Sequence, residues 1–164
     1  MEKVFKNVNL LYVICNDSIL MRKFSHQGYD VLDVFAFKSN DNVDTDLKNK
    51  LMSLFGKTFP YSYYGTIESV IHKEGIIAHL TIKTYKILLD QKYDVLANYA
   101  DDVINSGNGT LWVKKSDIKN EKRLREGDKK ILERVFDDKN IIIKIVENQG
   151  ERWIDAKTIS FEDK

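Results

Sequence analysis

The sequence predicts a single α+β domain, a β-sheet with a few short helices. Three observations predict it: runs rich in β-branched and aromatic residues separated by turn residues, two segments with apolar residues at helical spacing, and a length of 164 residues. Hydrophobic residues make up 43% of the chain and charged residues 31%. The 26 basic and 25 acidic side chains nearly cancel, so the whole molecule has no field that would attract nucleic acid or a membrane.

The first third of the chain predicts three strands. Residues 8–15 form an apolar run, residues 19–24 follow it across a polar turn, and residues 29–37 are rich in β-branched and aromatic side chains. Cys15 is the only cysteine and lies within the first apolar run. We interpret it as a buried structural thiol, because a lone cysteine cannot form an internal disulfide.

A helix follows the third predicted strand. Asp44 or Thr45 is suited to cap it, Gly56 to end it, and Pro60 prevents its continuation. Apolar side chains recur at helical spacing between these limits, at Leu47, Leu51, Leu54 and Phe55.

Residues 64–73 and 76–88 predict a β-hairpin around a turn at Glu74 and Gly75. This turn pairs Lys73 with Ile76, and the register then fixes which side chains share a face. One face is almost wholly apolar and is predicted to be core: Ile67, Ser69, Ile71, Ile76, Ala78, Leu80 and Ile82. The other face holds Glu68, Val70, His72, Ile77, His79, Thr81 and Lys83.

The last part of the chain predicts further alternation of helix and strand. Residues 90–106 fit a short helix, residues 110–113 a short strand, and residues 127–136 a helix. Residues 140–146 and 152–159 predict a closing hairpin within the segment 140–159. The hairpin also offers an edge to a partner strand if the protein is a structural interaction module.

This order of elements resembles a Nudix domain, with the helix ending at Gly56 as the Nudix helix does. Trp112 and Val113, at the end of a strand that leads toward the final helix, are similar to a tryptophan–valine pair often found in that family. The resemblance covers roughly residues 7–136 of the predicted single domain, 1–164. It implies an α/β/α sandwich built on a mixed β-sheet.

The family's catalytic box has the form G-x5-E-x7-R-E-U-x-E-E-x-G-U, where U is a bulky apolar residue. With Gly56 on its last glycine, the first glycine and first glutamate fall on Phe35 and Asp41. The remaining arginine and glutamates of the box fall on Asn49, Lys50, Ser53 and Leu54. In the family these helix carboxylates hold Mg²⁺ against a diphosphate, but residues 47–56 contain no acidic residue. The resemblance therefore implies a degenerate box.

Degenerate Nudix folds also serve as recognition modules, such as the C-terminal domain of MutY-type adenine glycosylases. Residues 63–72 are loosely similar to the strand before the histidine-bearing recognition segment of that domain. The usual aromatic–Ser/Thr–His triplet is absent, because Val70 and Ile71 precede His72.

Glu68, His72 and His79 form the first candidate ligand site, on the polar face of the predicted hairpin. Two imidazoles and a carboxylate at neighbouring positions suit a phosphate or a divalent metal. The alternative is a solvated sheet face on which the histidines are incidental. We assign no metal site to these residues, because two histidines alone do not supply enough ligands for a metal ion.

Trp112, Lys115 and Arg123 form the second candidate site. Eight basic and four acidic residues fall between 114 and 130, a local excess that suits a phosphate backbone, and Trp112 beside them suits a stacked base. The alternative is a solvated loop and helix face, because the acids interleave the run.

Three functions follow from these observations. The first is a catalytically degenerate Nudix-like domain that needs no cofactor and binds a nucleotide, nucleic acid or protein partner. The second is a divergent Nudix hydrolase acting with Mg²⁺ on a nucleoside diphosphate-linked substrate, with replacement ligands from Asp41, Glu68, Asp101 and Asp102. The third is a structural interaction module. Catalytic residues stay unassigned. No apolar run approaches the roughly 20 residues of a membrane span, so we expect a cytoplasmic protein without membrane contact.

Overall fold

A computed structural model describes residues 1–40, 42–96 and 109–163. Its strands are β1 (Glu2–Cys15), β2 (Ser18–His26), β3 (Tyr29–Asp33), β4 (Phe35–Phe37), β5 (Ser62–Lys73), β6 (Ile76–Leu89), β7 (Gly109–Lys114), β8 (Ile141–Asn148) and β9 (Lys157–Asp163). Its helices are α1 (Val43–Phe55), α2 (Lys115–Ile118) and α3 (Glu126–Val135), and a short 3₁₀ turn spans Trp153–Asp155.

The described strands form one nine-stranded sheet with the order β3-β2-β1-β6-β5-β8-β9, in which β4 also pairs with β1 and β7 with β2. β1 pairs with β6 and β5 with β8 in parallel, and the other pairs are antiparallel. The sheet is therefore mixed. The packing of α1 against one face and α3 against the other confirms the predicted α/β/α sandwich.

Alternating side chains of the central strands build two separate cores. Tyr12 and Ile14 of β1 pack with Ile67 of β5 and with the α3 side chains. Leu11 and Val13 of β1 pack on the opposite face with the apolar side of α1. The buried Cys15 belongs to this second core, which confirms its structural interpretation.

The predicted helix is α1, and its apolar residues at helical spacing are all buried. Its cap differs from the prediction: Asn42 accepts hydrogen bonds from the backbone N–H groups of Asp44 and Thr45, so neither of those residues is the cap. Gly56 ends the helix with φ of 73°, a conformation that favours glycine.

No helix in the described ranges is long and apolar enough to cross a membrane.

The predicted hairpin register is confirmed. Lys73 pairs with Ile76, His72 with Ile77, and Val70 with His79. The core assignment holds for Ile67 and Ser69, which are buried, but it was wrong for Ile76, which is 36% exposed. The hairpin extends past the core, so residues near its turn have no covering layer.

Other boundaries also differ from the sequence-based expectation. The third predicted strand is two strands, separated at Val34, and the second strand of the closing hairpin begins at Lys157 because a 3₁₀ turn occupies Trp153–Asp155. The predicted short helix at residues 90–106 is absent from 90–96, and its remainder, 97–106, lies outside the described residues.

We predict that Ile67→Ala lowers the free energy of unfolding by about 2–5 kcal/mol, because Ile67 is fully buried and its truncation leaves a cavity. Its neighbour Glu68 is exposed on the opposite face, so Glu68→Ala should change stability by less than about 0.5 kcal/mol. Urea unfolding of both variants measures the difference. Equal effects would contradict the assignment of the faces.

Candidate functional site

A polar cleft of about 1100 Å³ runs along α1, and we call it the α1 cleft. One wall is formed by α1, and the opposite wall by β1, β4 and the segment after β4. The side chains and backbone that line it belong to Asn7, Val8, Asn9, Arg22, Phe35, Ala36, Phe37, Lys38, Ser39, Asn40, Asp46, Asn49, Lys50 and Ser53. The lining is rich in amides and hydroxyls, which suit a polar ligand.

Positive charge dominates the lining of the α1 cleft. Among the described lining residues, Arg22, Lys38 and Lys50 contribute three cations, against one carboxylate at Asp46. The Asp46 carboxylate accepts a hydrogen bond from the backbone N–H of Asn40 at 2.8 Å. It therefore stabilises the loop that precedes α1, and the cleft as a whole suits an anion.

A second, smaller cavity of about 250 Å³ lies between the opposite face of the sheet and α3, and we call it the α3 cavity. Most of its wall is apolar, and a polar end is formed by Asp33, Arg125 and Asp128 with the indole of Trp153 beside them. The apolar lining consists of Val8, Leu10, Tyr12, Met21, Val34, Ile67, Ile71, Leu80, Ile82, Leu124, Ile131 and Leu132.

Arg125 organises the polar end of the α3 cavity. Its guanidinium donates two hydrogen bonds of 3.1 Å to the carboxylate of Asp128 and lies 3.5 Å from that of Glu147. It also stacks over the Trp153 ring at 4.3 Å. Glu147 reaches this network because Gly127 has no side chain: a Cβ there would lie 1.8 Å from the Glu147 carboxylate. The geometry of this end is therefore fixed by packing.

Burial raises the pKa of two carboxyls at this end of the α3 cavity. The pKa of Asp33 is raised to about 6, first by burial and then by the negative charge of Asp128, although Arg22 and Arg125 oppose the shift. Burial also raises the pKa of Glu147, against the attraction of Arg125. A carboxyl at Asp33 consequently changes from hydrogen-bond donor to acceptor near neutral pH.

The two cavities adjoin. Val8 lines both of them. Arg22, in the lining of the α1 cleft, lies 3.7 Å from the carboxylate of Asp33 in the lining of the α3 cavity. A ligand with an anionic part and a flat, largely apolar part can therefore contact both.

The first predicted site lies elsewhere. Register places Glu68, His72 and His79 on one face of the hairpin, as expected, but none of them lines either cavity. The His79 ring stacks on Phe5, with centroids 4.9 Å apart. Within the described ranges, no three His, Cys, Asp or Glu side chains are grouped so as to hold a metal ion.

The second predicted site is divided between the two cores. Trp112 packs against the α1 core and has the Lys92 ammonium 5.9 Å from its ring, whereas the segment after β7 is held in the α3 core by Ile118 and Leu124. Lys115 is exposed and lies 5.8 Å from the ring of Phe136. Arg123 forms a two-pronged ion pair with Glu121 at 2.7 and 2.9 Å. The predicted excess of positive charge is therefore reduced by local pairing.

Sequence reasoning did not select Asp33, Arg125, Asp128 or Trp153 as site residues. Arg125 and Asp128 lie at the start of α3, whereas Asp33 and Trp153 come from other elements, and only the fold brings all four together. A usable signal was the Arg125–Asp128 spacing at the start of a helix, which allows an ion pair across one turn.

Comparison with solved structures identifies the architecture. A mutator MutT protein from Bacillus halodurans superposes with a TM-score of 0.67 over 96% of this chain and 97% of that one, at 16% identity. The fold is Nudix-like. A MutT protein from Methanosarcina mazei shares this Nudix-like fold, with a TM-score of 0.56 over 82% of this chain and 94% of that one, at 10% identity. No family model and no curated protein matches the sequence.

The helix of the Nudix-like fold presents its box positions to the α1 cleft. Asn49, Lys50 and Ser53 line the cleft, whereas Leu54 is fully buried in the α1 core. Mg²⁺ requires oxygen ligands, and a lysine ammonium repels a dication. The box positions of α1 therefore offer no carboxylate to the metal that the family resemblance implies, and the helix carboxylate that lines the cleft, Asp46, lies outside those positions.

We predict that the carboxyl of Asp33 makes the free energy of unfolding fall as the pH rises from about 4 to about 6. The folded protein keeps the Asp33 proton up to pH about 6, whereas the unfolded chain releases it near its ordinary pKa of about 3.9. The folded state therefore binds more protons in that window. Asp33→Asn should remove this pH dependence of the free energy of unfolding. Asp30→Asn, a substitution at an exposed position on the same strand, should keep the pH dependence. Identical pH profiles of stability for the two variants would refute the shifted pKa.

Proposed function

We propose that this protein binds a nucleotide and does not hydrolyse it through a helix-bound Mg²⁺. The observation that carries the proposal is the junction of a cationic cleft with an apolar cavity at Val8 and the Arg22–Asp33 pair. The phosphates occupy the α1 cleft and the base occupies the α3 cavity. The MutT structures share only 16% and 10% sequence identity with this chain, so the likeness supports the fold and not the ligand.

The α1 cleft supports the phosphate half of this proposal. Lys38 and Lys50 provide ammonium groups and Arg22 a guanidinium, all of which form strong hydrogen bonds with phosphate oxygens. Amides at Asn7, Asn9 and Asn49 add donors without adding charge. The one carboxylate in the described part of the lining, Asp46, already accepts a hydrogen bond from the loop.

The α3 cavity supports the base half. A volume of about 250 Å³ is suited to a flat heterocycle rather than to a complete nucleotide. Apolar walls favour the faces of such a ring, and the carboxyls and guanidinium at one end can form hydrogen bonds with its polar edge. Whether Asp33 donates or accepts there depends on pH, because burial raises its pKa to about 6.

The hydrolase alternative requires several metal ligands, and the described part of the cleft supplies one carboxylate, Asp46. Of the suggested replacements, Glu68 lies on the hairpin face outside the cleft. Asp41, Asp101 and Asp102 lie outside the described residues. We therefore base no catalytic step on a metal ion, and we infer that Lys50 provides a fixed positive charge at the position of the family's glutamate.

We predict that nucleoside diphosphates such as ADP or GDP bind equally well with Mg²⁺ and with EDTA. Lys50→Ala should weaken binding by roughly 10- to 100-fold, the loss expected for a charge-assisted hydrogen bond of about 1.5–3 kcal/mol. The matched control is Lys48→Ala on the same helix, because Lys48 lies outside the cleft and pairs with Asp44 at 3.0 Å. Isothermal titration calorimetry measures each affinity. Equal loss in both variants, or no binding by the wild type, would reject the proposed site.

A further prediction is that Mg²⁺-dependent hydrolysis of the same nucleotides is negligible. The box positions on α1 carry no carboxylate to hold the ion that activates water, and the Asp46 carboxylate already accepts a hydrogen bond from the backbone N–H of Asn40. Phosphate release is measured with wild type and with Lys50→Ala. Turnover of about 1 per second or more that survives Lys50→Ala would favour the hydrolase alternative instead.

A further inference from the structure

Arg22 lies at the junction of the two cavities with an incomplete set of partners. It stands directly opposite Asp33 in the β2–β3 ladder and lines the α1 cleft, whereas Asp33 lines the α3 cavity. Its Nη2 atom is 3.7 Å from Oδ2 of Asp33, which is close enough for an ion pair but longer than a hydrogen bond. Its Nε–H group is buried and has no acceptor among the described residues. A buried donor without an acceptor is costly, so this guanidinium suits a further anionic partner.

The ring of Phe24 supports the guanidinium of Arg22 independently of Asp33. The Cζ atom of Arg22 lies 4.6 Å from the centroid of that ring, a contact that attracts a cation to the aromatic face. The guanidinium is planar and presents its N–H donors in a fixed fork that matches phosphate oxygens. Arg22 therefore keeps a support on its own strand when Asp33 is no longer its partner.

Asp33 faces charged and titratable groups from several elements. Arg22 of β2 and Arg125, which precedes α3, favour the ionised carboxyl, whereas Asp128 of α3 disfavours it. The hydroxyl of Tyr12 on β1 stays neutral beside it, because burial raises the pKa of this phenol. Arg125 donates hydrogen bonds of 3.1 Å to Asp128. Arg22 is therefore the neighbouring cation that a ligand in the α1 cleft can take from Asp33.

We propose that Arg22 exchanges partners when a nucleotide binds: it leaves the Asp33 carboxylate for the phosphates, and the Asp33 carboxyl takes up a proton from solvent. This inference rests on the proposed function, because the phosphates in the α1 cleft are what attract Arg22. Loss of a cation and approach of an anion both favour the protonated form of a carboxyl. Asp33 then offers an O–H donor to the base in the α3 cavity, so the phosphates of a ligand determine how its base is recognised.

The exchange takes place in a pH range in which it can be measured. Burial and the charge of Asp128 raise the pKa of Asp33 to about 6 in the unliganded protein, so this carboxyl is mostly ionised at pH 7. Loss of the opposite charge of Arg22 raises its pKa further. We expect an uptake of about 0.4 to 0.9 proton per bound nucleotide at pH 7.

Isothermal titration calorimetry with ADP tests the proposal in two buffers of different ionisation enthalpy, MOPS and Tris. The dependence of the binding enthalpy on the buffer gives the number of protons taken up. We expect the wild type to take up more protons than Asp33→Asn at pH 7. The ADP phosphates also titrate near this pH, but they contribute equally to both proteins. The matched control is Asp30→Asn, at an exposed position on the same strand, which should behave like the wild type.

The affinities give a second readout that a merely structural role of Asp33 would not produce. Asp33→Asn should bind ADP about tenfold or more tightly than the wild type at pH 8, because an asparagine is neutral and needs no proton. This advantage should disappear at about pH 5, where the wild-type carboxyl is protonated before the nucleotide binds. Weaker binding by Asp33→Asn at every pH would overturn the inference.

A third readout needs no nucleotide. The ¹³C resonance of the Asp33 carboxyl should titrate at a higher pH in Arg22→Gln than in the wild type. Lys23→Gln should leave that titration unchanged, because Lys23 is the next cation on β2 and lines neither of the two described cavities. An unchanged titration in Arg22→Gln overturns the inference.

The calorimetry separates failure of this inference from failure of the proposed function. If ADP binds and the wild type and Asp33→Asn take up equal numbers of protons, the partner exchange is rejected and the nucleotide site stands. If the wild type binds neither ADP nor GDP, the proposed function is rejected and the partner exchange with it.

Discussion

The parallel pairing of β1 with β6 is the constraint on which the other features of the molecule depend. All 14 residues of β1, from Glu2 to Cys15, pair with β6 in unbroken register. The second half of this ladder is buried between the two cores, whereas the first half extends beyond α1. β1 therefore lines both cavities, and its partner β6 lines the α3 cavity. A shift of one residue would move every side chain of β1 to the wrong face.

Arg125 has a comparable role for the polar end of the α3 cavity. Its side chain is 16% exposed and contacts two carboxylates and an indole from three separate elements. A buried charge is costly unless it is paired, so removal of Arg125 would leave Asp128 and the 3% exposed side chain of Glu147 uncompensated. The network is therefore better suited to specifying one arrangement of the cavity than to adding stability.

The sequence predicted local features better than distant ones. The β5–β6 register followed from the Glu74–Gly75 turn, and α1 followed from apolar periodicity and Gly56, because both depend on neighbours along the chain. The first half of β1 was missed, since residues 2–7 have no core-facing alternation and are extended only by pairing with β6. The α3 cavity was missed for the same reason: Asp33, Arg125 and Trp153 belong to three elements that are distant in the sequence and meet only in the fold.

Lys50, at a position where the family resemblance places a glutamate, changes what a Nudix-like cleft can do. A metal-bound phosphate is both held and polarised, and the ion also supplies an activated water. An ammonium such as that of Lys50 can neutralise a phosphate but has no open coordination position for water. Under the proposed function, Lys50 therefore binds a phosphate without supplying an activated water.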